Sequence, residues 1–254
     1  MSIAFLNKKG KNYVPIITNG DVGSSALGQV YNAALHLITE FPDTIDLAFT
    51  YTYSYAFENF KALKHAPKII RASRSLWSNP TTADYMFSSC EKLEDVQLFD
   101  VSEITSAMYM FARCYALKSL PNFNFNSLQK ASNMFAYDNN IENLTNITIG
   151  NSLTSASYMF GYCTKLKTIP VLNLTNVTGN TSLQSMFKDC PALTNDTLNN
   201  ILSYLTGAGV TANKTLKYVG LTEAQAQTCT TLSNYQAFLD AGWKTGYASI
   251  DNPT

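Results

Sequence analysis

Apolar residues in the middle of this chain recur in a fixed frame. Around Phe111 an Ala stands four residues before, a Met one before, a Cys three after and a Leu six after. The same frame falls on Met86-Phe87-Cys90-Leu93, on Met159-Phe160-Cys163-Leu166 and on Met186-Phe187-Cys190-Leu193. Met134-Phe135 leads to Asp138, in the cysteine's place, and to Ile141; Ala56-Phe57 leads to Phe60 and Leu63 as a degenerate first copy. The phenylalanines at 57, 87, 111, 135, 160 and 187 are spaced by 30, 24, 24, 25 and 27 residues. A near-constant period in the twenties marks a solenoid, in which each repeat buries its apolar side against its neighbours.

Within each repeat two periods alternate. Ala107, Phe111 and Cys114 are spaced as one face of a helix, which predicts a short helix or 3₁₀ turn. The residues twelve and fourteen past each Phe are apolar and separated by a polar one: Phe99 and Val101, Phe123 and Phe125, Ile147 and Ile149, Leu172 and Leu174. That is a strand with one face buried, and strands of successive repeats would stack as a parallel sheet about 4.8 Å apart. The expected fold is therefore α/β: a solenoid of about six short helix-plus-strand repeats with a parallel sheet, capped at both ends.

The flanks differ. In residues 1–42, Ile3 to Leu6 and Tyr13 to Ile17 read as strands around a polar hairpin loop, and residues 24–41 as a helix with Leu27, Val30, Ala34, Leu37 and Ile38 on one face. This segment is expected to be an N-terminal cap or an attachment element. The solenoid is placed at 43–195, opening on a strand at Ile45, Leu47, Phe49 and Tyr51, with an insertion around Arg71–Trp77. Residues 196–254 are expected to form a C-terminal cap: an amphipathic helix ending at Leu205, a strand at Lys214–Val219, a helix capped by Thr222, a further helical stretch from Leu232 to Ala241, and a loose tail from Ile250. Capping is a physical need, because an open solenoid end exposes core.

Composition narrows the function classes. Lys plus Arg equals Asp plus Glu at 18 each, which argues against a general binder of nucleic acid or anionic membrane. Charged residues are only 14%, so the surface is made polar by Asn, Thr, Ser and Tyr. No apolar run approaches the roughly 18 residues of a membrane span. The first residues do not read as an export signal, which predicts cytosolic assembly, a signal already removed, or release without one. Four of the five cysteines share one repeat position and are expected to be buried free thiols rather than disulfides or metal ligands. His36 and His65 have no partner at a motif spacing, and Glu91 and Glu94 read as solvated. We therefore expect no enzyme, no cofactor and no metal.

The repeats resemble the BspA-like leucine-rich repeats of bacterial surface proteins, in their M-F-x-x-C-x-x-L variety. The residues that carry this are Tyr85-Met-Phe-Ser-Ser-Cys90, Tyr109-Met-Phe-Ala-Arg-Cys114, Tyr158-Met-Phe-Gly-Tyr-Cys163 and Ser185-Met-Phe-Lys-Asp-Cys190. Similar repeats occur in tail-fibre and structural proteins of phages that infect gut bacteria. The resemblance implies a leucine-rich-repeat scaffold for surface attachment. The expected role is a binding module of a phage fibre, tail or capsid decoration, located on the virion. A secreted bacterial surface adhesin and a purely structural virion component are the alternatives. The expected partners are a host cell-surface glycan or protein, and other virion proteins or a second copy through residues 1–42, with no nucleic acid and no membrane insertion.

Two surfaces are candidates for binding. One is the outward face of the sheet, with Asp100, Asn124, Thr148 and Asn173 thirteen residues past each Phe and Ser102, Asn126 and Thr175 fifteen past. Rows of amides and hydroxyls suit a hydroxyl-rich ligand, although a solvated face has the same composition. The other is the tyrosine row Tyr85, Tyr109 and Tyr158, two residues before each Phe, which would receive a sugar ring or protein partner or merely pack between repeats.

Overall fold

The structure is a computed structural model, and it describes residues 2–4, 16–18, 44–46, 52–70 and 81–252. Strands β1 (Ser2–Ala4) and β2 (Ile16–Thr18) pair antiparallel, as the two N-terminal apolar runs predict. The helix expected at 24–41 and the insertion at 71–77 lie outside the described residues. Strands β3 (Thr44–Asp46) and β4 (Lys68–Ile70) pair in parallel, and so do β5 (Asn124–Phe125) and β6 (Thr148–Ile149). Isolated parallel bridges join the same position of successive coils, from Thr82 to Ser106, Lys130 and Ser155. The chain is thus a repeat fold whose coils stack in parallel.

The turn expected to be helical is not a helix. Its alternate N–H groups, those four and two residues before Phe, of Phe itself and two after, donate to the next coil instead of to a carbonyl four residues back. Ala83, Tyr85, Phe87 and Ser89 donate to the carbonyls of Ser106, Met108, Met110 and Ala112, each at 2.8 Å. The four equivalent bonds recur in the coils of Phe57, Phe111, Phe135 and Phe160, at 2.6–3.1 Å throughout. The intervening N–H groups close tight turns: Met86, Ser88 and Cys90 donate to Ala83, Tyr85 and Phe87. This geometry needs left-handed backbone two residues before and two after each Phe. Those positions hold no glycine: Tyr85, Ser89, Tyr109, Arg113, Tyr158 and Tyr162 have φ of 58, 61, 57, 64, 53 and 65°. Left-handed backbone costs roughly 1–2 kcal/mol per non-glycine residue, and the inter-coil bonds hold it in place. The expected strands are correspondingly short, because only two residues per coil reach β pairing in β5 and β6.

Side chains at the repeat positions form continuous columns. Phe57, Phe87, Phe111, Phe135, Phe160 and Phe187 stack at 5.1–5.8 Å between ring centroids, with planes within 8° of parallel. Near-parallel rings at that separation are offset, the favoured geometry, contributing about 0.5–1.5 kcal/mol per pair beyond the area they bury. Met86, Met110, Met134, Met159 and Met186 are fully buried beside them. The cysteines are free and buried, as expected, and each thiol of the repeat column donates to the carbonyl of the Phe one coil back. Cys90, Cys114, Cys163 and Cys190 reach Phe57, Phe87, Phe135 and Phe160 at 2.9–3.2 Å. Asp138 fills the missing place in this column. Its Oδ1 accepts the Cys114 N–H at 2.9 Å, while its buried Oδ2 meets no partner. Burial pushes the Asp138 carboxyl well above the usual carboxylate range.

Beyond the last coil come α1 (Asn195–Thr206), α2 (Leu216–Val219), α3 (Glu223–Cys229), α4 (Tyr235–Asp240) and α5 (Ala248–Asp251). Leu198, Ile201, Leu202 and Leu205 bury the apolar face of α1, and Thr222 with Gln225 forms a capping box for α3. The strand expected at Lys214–Val219 is instead α2, preceded by a single bridge from Thr215 to Lys244. A short helix suits the end of the stack, because its last carbonyls are free to accept. Those of Tyr218 and Val219 take the N–H groups of Ser185 and Phe187, each at 2.8 Å. Gly220 ends α2 at φ 96°, where a Cβ would stand 2.6 Å from the Lys188 nitrogen. Of the tail expected to be loose, residues 250–252 are described and anchored, because the Asp251 carboxylate accepts from the backbone of Thr245 and Gly246 and from the Thr245 hydroxyl.

Burial pushes the Cys190 and Cys229 thiols up to about 12 and the other three well above the ordinary thiol range. Since the thiolate is the reactive form, the folded chain at pH 8 should leave a disulfide reagent such as Ellman's untouched. All five cysteines should react once denaturant is added. Asp138 makes a second prediction. The unfolded chain releases this proton near pH 4 and the folded chain keeps it, so unfolding becomes easier as pH rises above 4. Asp138→Cys removes that cost and the unpartnered oxygen. In urea titrations the variant should gain on the parent between pH 4 and pH 7, reaching about 1–3 kcal/mol at neutrality; a gain independent of pH would mean the carboxyl is not neutral in the fold.

Candidate functional site

The left-handed residues stand out from the coil in two rows, one on each side of the residue that follows Phe. Between the rows lies a groove of about 330 Å³ lined by Glu58, Asn59, Tyr85, Ser88, Ser89, Tyr109, Ala112, Arg113, Asn133, Ala136 and Tyr137. Its floor is small because the residue after Phe is small: Ser88, Ala112 and Ala136 are 6, 3 and 1% exposed. In the next coil that place is Gly161, where a Cβ would come within 3.2 Å of Tyr158 Cδ1.

Each wall is a column of rings with different ends. In the row before Phe, Tyr55 and Tyr85 stack at 5.0 Å and Tyr85 and Tyr109 at 4.6 Å, with planes 6° and 9° apart. Asn133 takes the next place and interrupts this column before Tyr158. In the row after Phe, Tyr137 and Tyr162 stack at 4.3 Å, with the Arg113 guanidinium 5.7 Å from the Tyr137 centroid and the Lys188 ammonium 5.3 Å from that of Tyr162. Cations over ring faces are favourable contacts, and these two close both ends of the second column.

Burial sets the protonation of the walls. It raises the carboxyl of Glu58, half-buried at one end of the groove, above the usual range. Burial first, then the neighbouring Tyr109, Tyr55 and Glu58, raises the Tyr85 phenol. Burial and then Tyr162 raise the Tyr137 phenol, and a hydrogen bond with the Tyr162 hydroxyl raises the Lys188 ammonium. The groove therefore presents phenols, hydroxyls and the amides of Asn59 and Asn133, with one acidic and one basic side chain, Glu58 and Arg113.

Of the residues expected to bind, the structure brings together two sets. Asn124 and Thr148 are exposed and directly paired in β5 and β6, on the outward face as expected. Tyr85 and Tyr109 stack and line the groove, whereas Tyr158 is set apart from them by the Asn133 coil. Asp100 and Asn173 are turn formers: Asp100 Oδ1 accepts the Ser102 N–H and hydroxyl, and Asn173 Oδ1 accepts the Thr175 N–H. The backbone carbonyl of Asn126 packs against Gly150, where a Cβ would stand 2.0 Å away. Sequence reasoning missed Ser88, Ser89, Arg113, Asn133 and Tyr137. For Ser88, Ser89, Arg113 and Tyr137 the signal was the same frame counted one and two residues past Phe, and for Asn133 it was the tyrosine row itself, two residues before Phe135. His65, which has no partner at a motif spacing, joins Asp95 of the next coil at 2.7 Å on the exposed edge, where Lys61–Glu91 and Lys167–Glu142 pair likewise. Such exposed pairs contribute little to stability.

The repeat frame also carries a family signature. A family described as "Mycoplasma protein of unknown function, DUF285" matches residues 57–148 and 81–201, together more than half of the chain. The chain belongs to the DUF285 family. This supports the BspA-like leucine-rich-repeat character of the coils. A leucine-rich repeat protein from Bacteroides ovatus, solved as a crystal structure, is similar at 20% identity with a TM-score of 0.29. The similarity covers 46% of this chain and 33% of that one, so it spans about a third of the other protein's length. No curated protein matches the chain.

Proposed function

We propose that this DUF285 chain is a non-enzymatic recognition module of a phage particle, presenting a rigid coil stack to a glycan or protein on the host surface. The observation that carries the reading is the coil stack itself: its backbone polar groups are consumed between coils, and rows of tyrosine, amide and hydroxyl side chains are left facing outward. Rigid, repeated presentation of amphipathic rings beside hydrogen-bonding groups suits recognition of extended surface polymers. On this reading residues 1–42 join the module to other virion proteins or to a second copy, and residues 196–254 close its far end. A bacterial surface adhesin is the second reading. Membership of a family described from Mycoplasma favours it, because the same coil face would then serve a cell rather than a particle.

Whole-cell binding by the purified, fluorescently labelled chain tests recognition. Saturable binding to gut bacteria is expected for the phage module and binding to host matrix or epithelial cells for the adhesin. Absence of both would leave a structural component. Asn124→Ala with Thr148→Ala probes the outward sheet face. If that face is the contact, cell binding should fall by about tenfold, which corresponds to the 1.4 kcal/mol of one or two hydrogen bonds.

A further inference from the structure

The tyrosine column before Phe has a gap. Tyr55, Tyr85 and Tyr109 lie ring on ring, and the column would continue to Tyr158 but for Asn133. Tyr109 therefore keeps one ring face that no other ring covers among the described residues. The coils of Tyr109 and Tyr158 are two coil spacings apart, about 9.6 Å at ~4.8 Å each. That leaves the thickness of one ring between them, above the Asn133 amide and beside Ala136 and Tyr137, which line the groove.

The chemistry around this gap selects its occupant. Along the floor and walls, the hydroxyls of Tyr85, Ser88, Ser89 and Tyr109 and the Asn133 amide make no side-chain hydrogen bond to other described residues. By contrast, Ser132 bonds Ser155 at 2.7 Å and Ser157 at 3.0 Å. The groove's backbone N–H groups are all committed to the inter-coil ladder or to the tight turns, so a peptide cannot dock there by adding a strand. Recognition must pass through side chains, and these offer hydroxyls, amides and a ring face. Glu58 and Arg113 balance one another, which favours a ligand without net charge. A pyranose has the required form, with an apolar C–H face for Tyr109 and equatorial hydroxyls for the amide and hydroxyl groups around it.

We propose that a neutral pyranose ring of an oligosaccharide occupies the gap at Asn133, lying on the open face of Tyr109 in place of the missing tyrosine. The ring's edge hydroxyls are held by Asn133 and Arg113. The next ring of the chain extends along the groove toward Ser88 and Ser89, past the Tyr85 and Tyr109 hydroxyls. This site deepens the recognition reading above and rests on it.

Asn133→Tyr is the decisive variant. Tyr109 and Tyr158 hold tyrosine on the same left-handed backbone, with φ of 57 and 53° against 58° at Asn133, so the substitution suits the fold and fills the gap. An array of neutral, sialylated and uronic glycans is probed with the full chain, and the strongest neutral binder is titrated by calorimetry. A neutral oligosaccharide should bind the parent chain. Asn133→Tyr should abolish binding while leaving the thermal midpoint unchanged or raised. Tyr109→Ala should weaken binding roughly three- to tenfold, the worth of one ring stack. Lys167→Ala, in the exposed ion pair with Glu142 and outside the groove lining, should leave it unchanged. Three results would overturn the site: no neutral glycan bound, Asn133→Tyr binding like the parent, or binding confined to acidic glycans. Cell binding distinguishes the two levels. A parent chain that binds cells equally well with Asn133→Tyr retains recognition and loses this site, whereas a parent chain that binds no cells loses the recognition reading as well.

Discussion

Backbone hydrogen bonds that the turn around each Phe donates to the coil that follows are the constraint on which the other features depend. In the coils of Phe57, Phe87, Phe111, Phe135 and Phe160 the N–H groups at four places around Phe point to the coil that follows, and the carbonyls of the receiving turn point to the coil that precedes. The arrangement requires left-handed backbone at residues as bulky as Tyr85, Tyr109 and Tyr158, a local cost that an isolated turn would not sustain. Neighbouring coils sustain it because each left-handed residue of the coils from Phe57 to Phe160 is fixed by its own inter-coil bond. Leaving those buried groups unpaired would cost more than the strain does. The Phe stack and the thiol bonds then lock the spacing on the buried side.

One-way bonding also explains the C-terminal end. The last coil presents N–H groups with no further coil to receive them. The α2 helix turns its terminal carbonyls toward them, and a helix C-terminus is where unused carbonyls are found. Gly220 permits the approach, with the chain passing against Lys188. Covering this end is therefore a matter of matching polar groups as well as hiding core. Gln225 adds to it by donating to the Cys190 carbonyl at 2.8 Å.

The surface follows from the same geometry. Residues at the left-handed positions are pushed out of the coil into two columns, and the small residue between them leaves a trough. What varies from coil to coil in those columns is then what a ligand meets. Replacing tyrosine by Asn133 opens one wall, and Tyr137 and Tyr162 between Arg113 and Lys188 close the other. Because the buried positions serve spacing and the ladder consumes the backbone, recognition is left to these side chains. The tyrosine row was visible in the sequence two residues before each Phe, but the opposite row was not sought, because Arg113, Tyr137 and Ser89 share no residue type.

By itself, the sequence determined the repeat: the Phe period, the buried Cys and Met columns, the alternating burial around Phe99, Phe123, Ile147 and Leu172, and the α1 and α3 helices with their caps. These depend on local spacing and on which side chains avoid water, which a linear pattern records. Only the tertiary structure decided the form of the coil. Ala107, Phe111 and Cys114 have helical spacing, yet their segment is a chain of turns, because neighbouring coils compete for the N–H groups that a helix would use internally. The same competition made a helix of Leu216–Val219 and assembled a groove from residues 24 or 30 apart in the chain. A hydrogen-bond partner one coil away leaves no mark on the local pattern, so the ladder and the groove beside it came into view only with the coils stacked.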